Sequence, residues 1–190
     1  MMEKTLILAL LTLSLTAGGA GGKAPLPLEE LPDDYSLVQA KLDGCVVHEN
    51  GDITNGTASF LEFAQQAARG EACAVRLVEY YTLDDPFQYS EEPMAEIIDH
   101  FPMMFVEDLS FDGKTYTIRR FDGDQEVIRQ FPYMKKFEGP AEQPYLWYGS
   151  YVRYVLTNDN AVTWEQLISG DLQGKAGEYV SVFTDLVRAD

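Results

Sequence analysis

The sequence MMFVEDLSFDGKTYTIRRFDGDQEVIRQFPY, from Met103 to Tyr133, alternates three runs rich in apolar and β-branched residues with two Asp-Gly pairs. The runs are Met103 to Phe111, Lys114 to Phe121 and Gln125 to Tyr133. Asp-Gly pairs favour tight hairpin turns, because glycine adopts a positive φ without strain. The segment therefore predicts a central antiparallel meander of three strands.

Further strands are predicted on both sides of this meander. Asn50-Gly51 is a strong turn signal that predicts a small hairpin. Residues rich in β-branched and aromatic side chains predict the other strands. The additional strands are Cys45 to His48, Asp52 to Ile53, Ala74 to Thr82, Tyr145 to Thr157 and Tyr179 to Val187.

Helices are predicted before the meander and near the end of the chain. Ser36 with Gln39 and Thr163 with Gln166 have the spacing of capping boxes. A helix capped by Thr57 and ending at Gly70, and a short helix from near Ser90 to before Pro102, complete the set. Grouped helices and sequential strands predict an α+β fold. We expect a single domain over 32–190, with a mostly antiparallel sheet and three to four short helices.

The N-terminal residues are typical of an export signal. An apolar run from Thr5 to Leu15 precedes small residues up to Gly22, and it is too short to span a membrane. The alternative, a buried N-terminal helix, would be broken by the glycines that follow. We therefore predict a signal peptide over 1–20, a flexible linker over 21–31, and a location outside the cell or in the cell envelope. The segment before Gly18 is lipoprotein-like, but a lipidated leader requires cysteine at that position.

The net charge excludes some partners. The 190 residues include 14 Lys and Arg against 31 Asp and Glu, which gives a formal charge of −17. Such an acidic chain repels phosphates, so an ordinary nucleic-acid binder is not expected. Docking on anionic lipid is disfavoured for the same reason. A membrane is expected as a partner only through the leader or an anchor, if at all.

The two cysteines, Cys45 and Cys73, each begin a predicted strand of an exported chain. A disulfide between them would restrict the unfolded chain and stabilise the fold. Two buried free thiols are the alternative, because free cysteine packs as a small apolar residue. The spacing alone leaves both possibilities open.

Motifs for catalysis, cofactors and metals are not found. The only histidines, His48 and His100, lack the spacing of paired metal ligands. The segment from Asp122 begins like a calcium loop, but Val127 and Tyr133 occupy its required glycine and glutamate positions. We predict no catalytic, cofactor-binding or metal-binding residue, and an enzyme is not the preferred interpretation.

Aromatic residues on one predicted strand form the candidate ligand-binding face. Side chains alternate along a strand, so one face holds Tyr145, Trp147, Tyr151 and Arg153. The opposite face holds Tyr148, Val152, Tyr154 and Leu156, which are typical of a core. The first face is suited to a sugar or peptide ligand. Packing beneath a helix or loop is the alternative.

Several short segments together resemble a family of exported proteins of Gram-positive bacteria that is known only as a domain of unknown function. They lie within Pro32 to Lys136, with a less distinct likeness from Tyr145 to Val187. The segments are Asp34 to Leu37 with Ala40, Asp43 to Val47, Gly51 to Asn55, Phe60 to Phe63, Val75 to Val78, Tyr81-Thr82, Asp85-Pro86 and Asp108 to Lys114. Many members are lipoprotein-like. The resemblance implies export and a fold, and it supplies no catalytic residues.

We therefore expect an exported cell-envelope or secreted protein that acts as a non-enzymatic binding or interaction module for a protein, peptide or glycan. One alternative is a small carboxylate-based extracellular hydrolase, with a cleft formed by Arg76 together with Tyr81 or Thr82, near Asp84 and Asp85. Another is an inhibitory protein whose acidic surface docks on a basic partner.

Overall fold

A computed structural model describes residues 26–83, 100–140, 148–169 and 178–188 of the chain. These ranges contain a six-stranded sheet, a three-stranded sheet, three α-helices and one short 3-10 helix. The fold class is therefore α+β, as the sequence predicts. The predicted signal peptide and the predicted helix near Ser90 lie outside the described residues.

The six-stranded sheet has the strand order β2-β1-β3-β4-β5-β6, and the three-stranded sheet has the order β7-β8-β9. The strands are β1 (Val46–Glu49), β2 (Asp52–Asn55), β3 (Cys73–Tyr81), β4 (Met103–Phe111), β5 (Tyr116–Asp122), β6 (Gln125–Phe131), β7 (Tyr133–Pro140), β8 (Tyr148–Thr157) and β9 (Tyr179–Arg188). Strands β1 and β3 run parallel, and each of the other neighbouring pairs is antiparallel. The helices are the 3-10 helix Leu28–Glu30, α1 (Leu37–Leu42), α2 (Thr57–Ala68) and α3 (Trp164–Ser169).

Strands β4, β5 and β6 form the predicted meander. Gly113 and Gly123 take φ values of 98° and 59° in its two turns, which explains why glycine occupies both positions. The third strand ends at Phe131 rather than Tyr133, and Tyr133 begins β7 in the other sheet. Pro132 separates them, because proline has no N–H to donate to a ladder. Strand β7 was not predicted from the sequence.

The largest core lies between the two sheets and includes helix α2. Phe60 of α2 stacks on Phe183 of β9, with ring centroids 4.2 Å apart. The other buried members of this core come from both sheets and α2, and they include Val46, Phe63, Leu77, Leu109, Ile118, Phe131 and Leu156. Burying large apolar side chains from both sheets stabilises their packing.

Two smaller apolar clusters cover the outer faces. Helix α1 places Ala40 against Val47 and Val78 on the far side of the six-stranded sheet. Helix α3 places Leu167 near Val155 on the far side of the three-stranded sheet. Each sheet is therefore packed on the shared core and is partly covered by a helix on its other face.

Local hydrogen bonds explain where the helices begin. The Ser36 hydroxyl accepts from the N–H of Gln39 at 3.2 Å, as predicted for the start of α1. Thr163 and Gln166 form a reciprocal capping box at 2.8 and 3.3 Å. The prediction for α2 is wrong in detail, because Thr57 is its first helical residue and Gly56 caps it at φ 77°.

The segment predicted as a flexible linker over 21–31 is ordered where the structure describes it. Leu28 is buried, and the carbonyl oxygen of Leu26 accepts a hydrogen bond from Arg76 at 2.7 Å. Glu29 pairs with Arg119 at 3.0 Å. Residues 26–30 therefore pack on the six-stranded sheet, which corrects that part of the linker prediction.

Cys45 and Cys73 are free and buried. Cys73 belongs to the core between the sheets, whereas Cys45 lies in the cluster beneath α1 on the opposite face. Of the two alternatives left by the sequence, the disulfide does not fit, because the sheet separates the two thiols. No helix within the described ranges is both long and apolar enough to cross a membrane.

Candidate functional site

Strand β8 presents two of the four predicted ligand-contact residues on the face that turns away from the main core. Tyr151 and Arg153 lie there, while Tyr154 and Leu156 contribute to the core between the sheets. The alternation predicted from the sequence is therefore confirmed for the described part of the strand. Tyr145 and Trp147, the other two candidates, lie outside the described residues.

Helix α3 adds an aromatic side chain that is not among the residues predicted from the sequence. Trp164 stacks on Tyr151, with centroids 4.9 Å apart and planes 29° apart. The guanidinium carbon of Arg153 lies 5.4 Å from the Trp164 ring, within the range of a cation–π contact. Phe137 of β7 lies 5.7 Å from the same ring. We call Phe137, Tyr151, Arg153 and Trp164 the aromatic cluster.

Packing beneath a helix, the alternative raised from the sequence, describes Tyr151 well. The cluster is nevertheless only partly buried, because Tyr151, Arg153 and Trp164 each retain solvent-accessible surface. Trp164 was missed because it follows the capping residue Thr163 by one position and has no periodic signal of its own. Its relation to β8 arises only from the fold.

The connection that carries Trp164 is tied to β7 by a lysine. The ammonium group of Lys135 donates to the carbonyl oxygens of Asn160 and Val162, each at 2.7 Å. The same nitrogen lies 5.6 Å from the ring of Phe137. These contacts satisfy two main-chain acceptors and hold the start of α3 over the sheet.

Arg153 is a cation without an acidic partner inside the described part of the chain. No carboxylate of the described residues lies within ion-pairing distance of it, whereas Arg76, Arg119 and Arg120 are each paired. In a chain of charge −17, this leaves a positive group available beside aromatic rings.

A second group of polar and aromatic side chains lies on the core-facing side of the six-stranded sheet, toward the end of β3. It consists of Glu79 and Tyr81 of β3 and of Phe105 and Glu107 of β4, which we call the acidic cluster. Glu79 is directly opposite Phe105 in the ladder, and Leu77 is opposite Glu107. The Tyr81 and Phe105 rings meet edge to face at 6.2 Å.

His48 of β1 borders the acidic cluster. It is 3% exposed and is the parallel-strand neighbour of Glu79. Its Nε2 lies 3.1 Å from the carbonyl oxygen and 3.3 Å from the main-chain nitrogen of Thr184 in β9. Its Nδ1 lies 3.3 Å from Oε1 of Glu79, but the geometry is not that of a hydrogen bond. Nδ1 therefore has no hydrogen-bond partner in the part of the chain described here.

The acidic cluster shifts the titration of its members. Burial, opposed by Arg120 and reinforced by Glu79, raises the pKa of Glu107 above its ordinary value. Burial, together with the Glu79 carboxylate, also raises the pKa of Tyr81. Both shifts are toward the neutral form, chiefly because burial penalises the charged form.

The cleft suggested for a hydrolase is not assembled from its described members. Arg76 lies on the face of β3 that residues 26–30 cover, and it pairs there with Asp108. Tyr81 lies on the opposite face with Glu79. Asp84 and Asp85 lie outside the described residues.

The thiols do not have the properties of nucleophiles. Burial raises the pKa of Cys45, and burial raises the pKa of Cys73 to about 11. Cys73 also donates to the carbonyl oxygen of Phe63 at 3.6 Å. Among the described residues, no group of three or more His, Cys, Asp or Glu side chains is arranged to hold a metal ion.

Comparisons of the chain with models of protein families, with curated proteins and with solved structures find no match. The resemblance to an exported family therefore stays a prediction from the sequence.

Proposed function

We propose that the protein is an exported, non-enzymatic binding module that contacts its ligand through the aromatic cluster. In this proposal the chain after the signal peptide is a single α+β domain with mostly antiparallel sheets. One observation supports the binding role above the others: the Arg153 guanidinium lies over the partly exposed Trp164 ring and has no carboxylate partner in the described ranges.

This arrangement suits a ligand that combines an anionic group with an apolar or ring-shaped surface. An arginine beside an aromatic ring keeps its planar donor fork and pairs with a carboxylate at two points. The rings of Tyr151 and Trp164 supply apolar contact area at a small cost in conformational entropy. We expect an acidic glycan or an acidic peptide as the ligand, bound with a marked dependence on salt.

The same features give no support to an enzymatic function. A nucleophile requires an adjacent base, and both thiols are buried and favour the protonated form. The His48 ring is enclosed and bonded to the main chain of β9. The side chains of the aromatic cluster are suited to contact with a ligand, and none of them is of a type that transfers protons near neutral pH.

The test is binding of the purified protein to glycan and peptide arrays whose members differ only in the presence of carboxylates. The proposal expects retention of acidic members, weakened by Arg153→Gln and by Trp164→Ala. Trp164→Phe separates a lost contact from a lost fold, because it keeps an aromatic ring against Tyr151.

Arg129→Gln is the matched control. Arg129 also lies over an aromatic ring, Phe131, at 5.2 Å, but it belongs to the other sheet. Its replacement is expected to leave ligand binding unchanged. No acidic ligand on either array, or equal losses in Arg129→Gln and Arg153→Gln, would contradict the proposed site. Mass spectrometry of the mature N-terminus tests export, with cleavage expected near Ala20.

A further inference from the structure

One of the two carboxylates of the acidic cluster lacks a Lys or Arg partner among the described residues, whereas Arg120 and Arg129 both act on the other, Glu107. Glu107 pairs with Arg120 at 3.3 Å. Glu79 has no Lys or Arg partner among the described residues, and its side chain is 36% exposed. Its other contact is the hydroxyl of Tyr81, which donates to Oε2 at a long 3.4 Å. The Glu79 carboxylate therefore retains unused acceptor capacity at a site open to solvent.

His48 gives an independent indication that the polar contacts around Glu79 are incomplete. Its Nε2 contacts both the carbonyl oxygen and the N–H of Thr184, so either ring nitrogen can carry the proton. In both tautomers Nδ1 is buried, lies 3.3 Å from Oε1 of Glu79 and has no hydrogen-bond partner among the described residues. A buried nitrogen without a partner is unfavourable. The described residues therefore do not complete the polar contacts at this end of β1 and β3.

Aromatic rings flank the same carboxylate. Phe105 is 45% exposed and lies directly across the ladder from Glu79. Tyr81 meets the Phe105 ring at 6.2 Å. Rings attract cations through their negative faces, and they do so more strongly where water is partly excluded. Carboxylates and rings together form an environment for an organic cation rather than for a bare metal ion.

We infer that the acidic cluster binds a guanidinium or ammonium group, with Glu79 as its ion-pair partner and Phe105 and Tyr81 as its apolar walls. This site lies on the other sheet from the aromatic cluster and is independent of the proposed function. A bound cation also stabilises the ionised form of Glu107, whose carboxylate lies near Glu79. Such a group is carried by free amines and by lysine and arginine side chains of a partner.

The test uses n-butylguanidinium and n-butylammonium as probes, with n-butanol as the uncharged counterpart. Carbon-detected NMR follows the side-chain carboxyls of Glu79 and Glu107, and proton NMR follows the ring of Phe105. We expect saturable changes in chemical shift at these three groups with either cation and no change with butanol. It also expects the pKa of Glu107 to fall when the cation is bound.

Two variants and one control make the test specific. Glu79→Gln is expected to weaken binding at least tenfold, and Phe105→Leu is expected to weaken it severalfold. Glu126→Gln is the control, because Glu126 is an exposed acid that pairs with Arg119 on the opposite face of the sheet. Butanol shifts equal to those of the cations, or equal binding by Glu79→Gln and the unaltered protein, would overturn the inference.

A second arm distinguishes the source of the cation. A Gly- and Ser-rich peptide with one arginine is compared with the same peptide carrying citrulline, which has the same shape without the charge. Tighter binding of the arginine peptide than of n-butylguanidinium identifies a polypeptide side chain as the preferred ligand. Equal or weaker binding identifies a free small cation. Binding by neither peptide nor small cation overturns the site.

Discussion

Arg76 and Asp108 face each other across the β3–β4 ladder and form a buried two-point ion pair, with N–O distances of 2.7 and 3.0 Å. Arg76 is 5% exposed. Its remaining contact is the carbonyl oxygen of Leu26 at 2.7 Å. The pair therefore joins two strands of the six-stranded sheet to the segment that precedes the 3-10 helix Leu28–Glu30.

Replacing one partner of this pair should destabilise the protein strongly. Asp108→Ala leaves the Arg76 cation buried without a counter-charge, and such losses typically amount to about 3–5 kcal/mol. Urea denaturation monitored by circular dichroism measures the change in the free energy of unfolding. Glu71→Gln is the control, because it removes an exposed ion pair with Arg69 and should have no measurable effect. Similar losses in both variants would show that Arg76 and Asp108 are not held as the structure describes.

Gly56, which caps α2, should not tolerate a side chain. A Cβ atom there would lie 2.4 Å from the carbonyl oxygen of Cys45 and 2.7 Å from the Cα of Val46, and both are main-chain atoms. Gly70, which follows α2, has a similar φ of 75°, but a Cβ atom there would have no other atom within 4 Å. Gly70→Ala therefore carries only the conformational penalty of about 1–2 kcal/mol. Gly56→Ala should lower the free energy of unfolding by clearly more than Gly70→Ala does. Equal effects of the two substitutions would contradict the close approach of Gly56 to the main chain of Cys45 and Val46.

Local signals in the sequence predict the meander and the first hairpin, because glycines and capping residues act over a few positions. Gly113, Gly123 and Gly51 all adopt the positive φ that their turns require. Strand β7 was missed because its pairing with β8 is a tertiary interaction. A Gly-Pro pair is also typical of a break in a strand, but Gly139 and Pro140 both pair with β8 in the structure.

The candidate sites were predictable only where one strand carries the pattern. Alternation along β8 grouped Tyr151 with Arg153, but Trp164 joins them through the packing of a separate helix. The acidic cluster depends on the register between strands, which places Glu79 beside His48 on one side and Phe105 on the other. Neither register is encoded in the spacing of these residues along the chain.

Glu107 should make the stability of the protein fall as pH rises. Burial raises its folded-state pKa above the ordinary 4.5. The folded protein therefore binds more protons than the unfolded chain between these two values, and the free energy of unfolding decreases as pH increases through that interval. The Glu107→Gln variant has no carboxyl group at this position, so its free energy of unfolding does not decrease in this way. Urea denaturation from below pH 4.5 to neutral pH should therefore show the stability of the variant rising relative to that of the unaltered protein. A difference in stability that stays constant with pH would contradict the raised pKa.

Glu49 provides a comparison of opposite sign. Hydrogen bonds from Lys41 and Thr54 lower its pKa below 4.5. Its stabilising contribution is therefore present above the unfolded-state pKa and is lost as pH falls through the lower folded-state value. Relative to the unaltered protein, Glu49→Gln should be less stable at neutral pH and should approach it in acid. The same dependence on pH in both variants would contradict one of the two assignments.

The segment that precedes α1 should contribute to stability although the sequence predicts it as part of a linker. A protein that begins at Gly21 retains the Leu26 carbonyl and the buried side chain of Leu28. A protein that begins at Pro32 loses both. Burial of a leucine contributes about 1.5–3 kcal/mol, and a hydrogen bond to a charged group contributes about as much again. The shorter protein should therefore unfold at a clearly lower urea concentration.

Leu28→Ala in the protein that begins at Gly21 separates the two contributions. The variant keeps the Leu26 carbonyl opposite Arg76 and loses only apolar contact, so its loss of stability should be smaller than that of the protein that begins at Pro32. The difference between the two gives the share of the contact with Arg76 together with that of the exposed Glu29–Arg119 pair, which the shorter protein also loses. If the protein that begins at Pro32 is as stable as the longer one, residues 26–31 behave as the flexible linker that the sequence predicts.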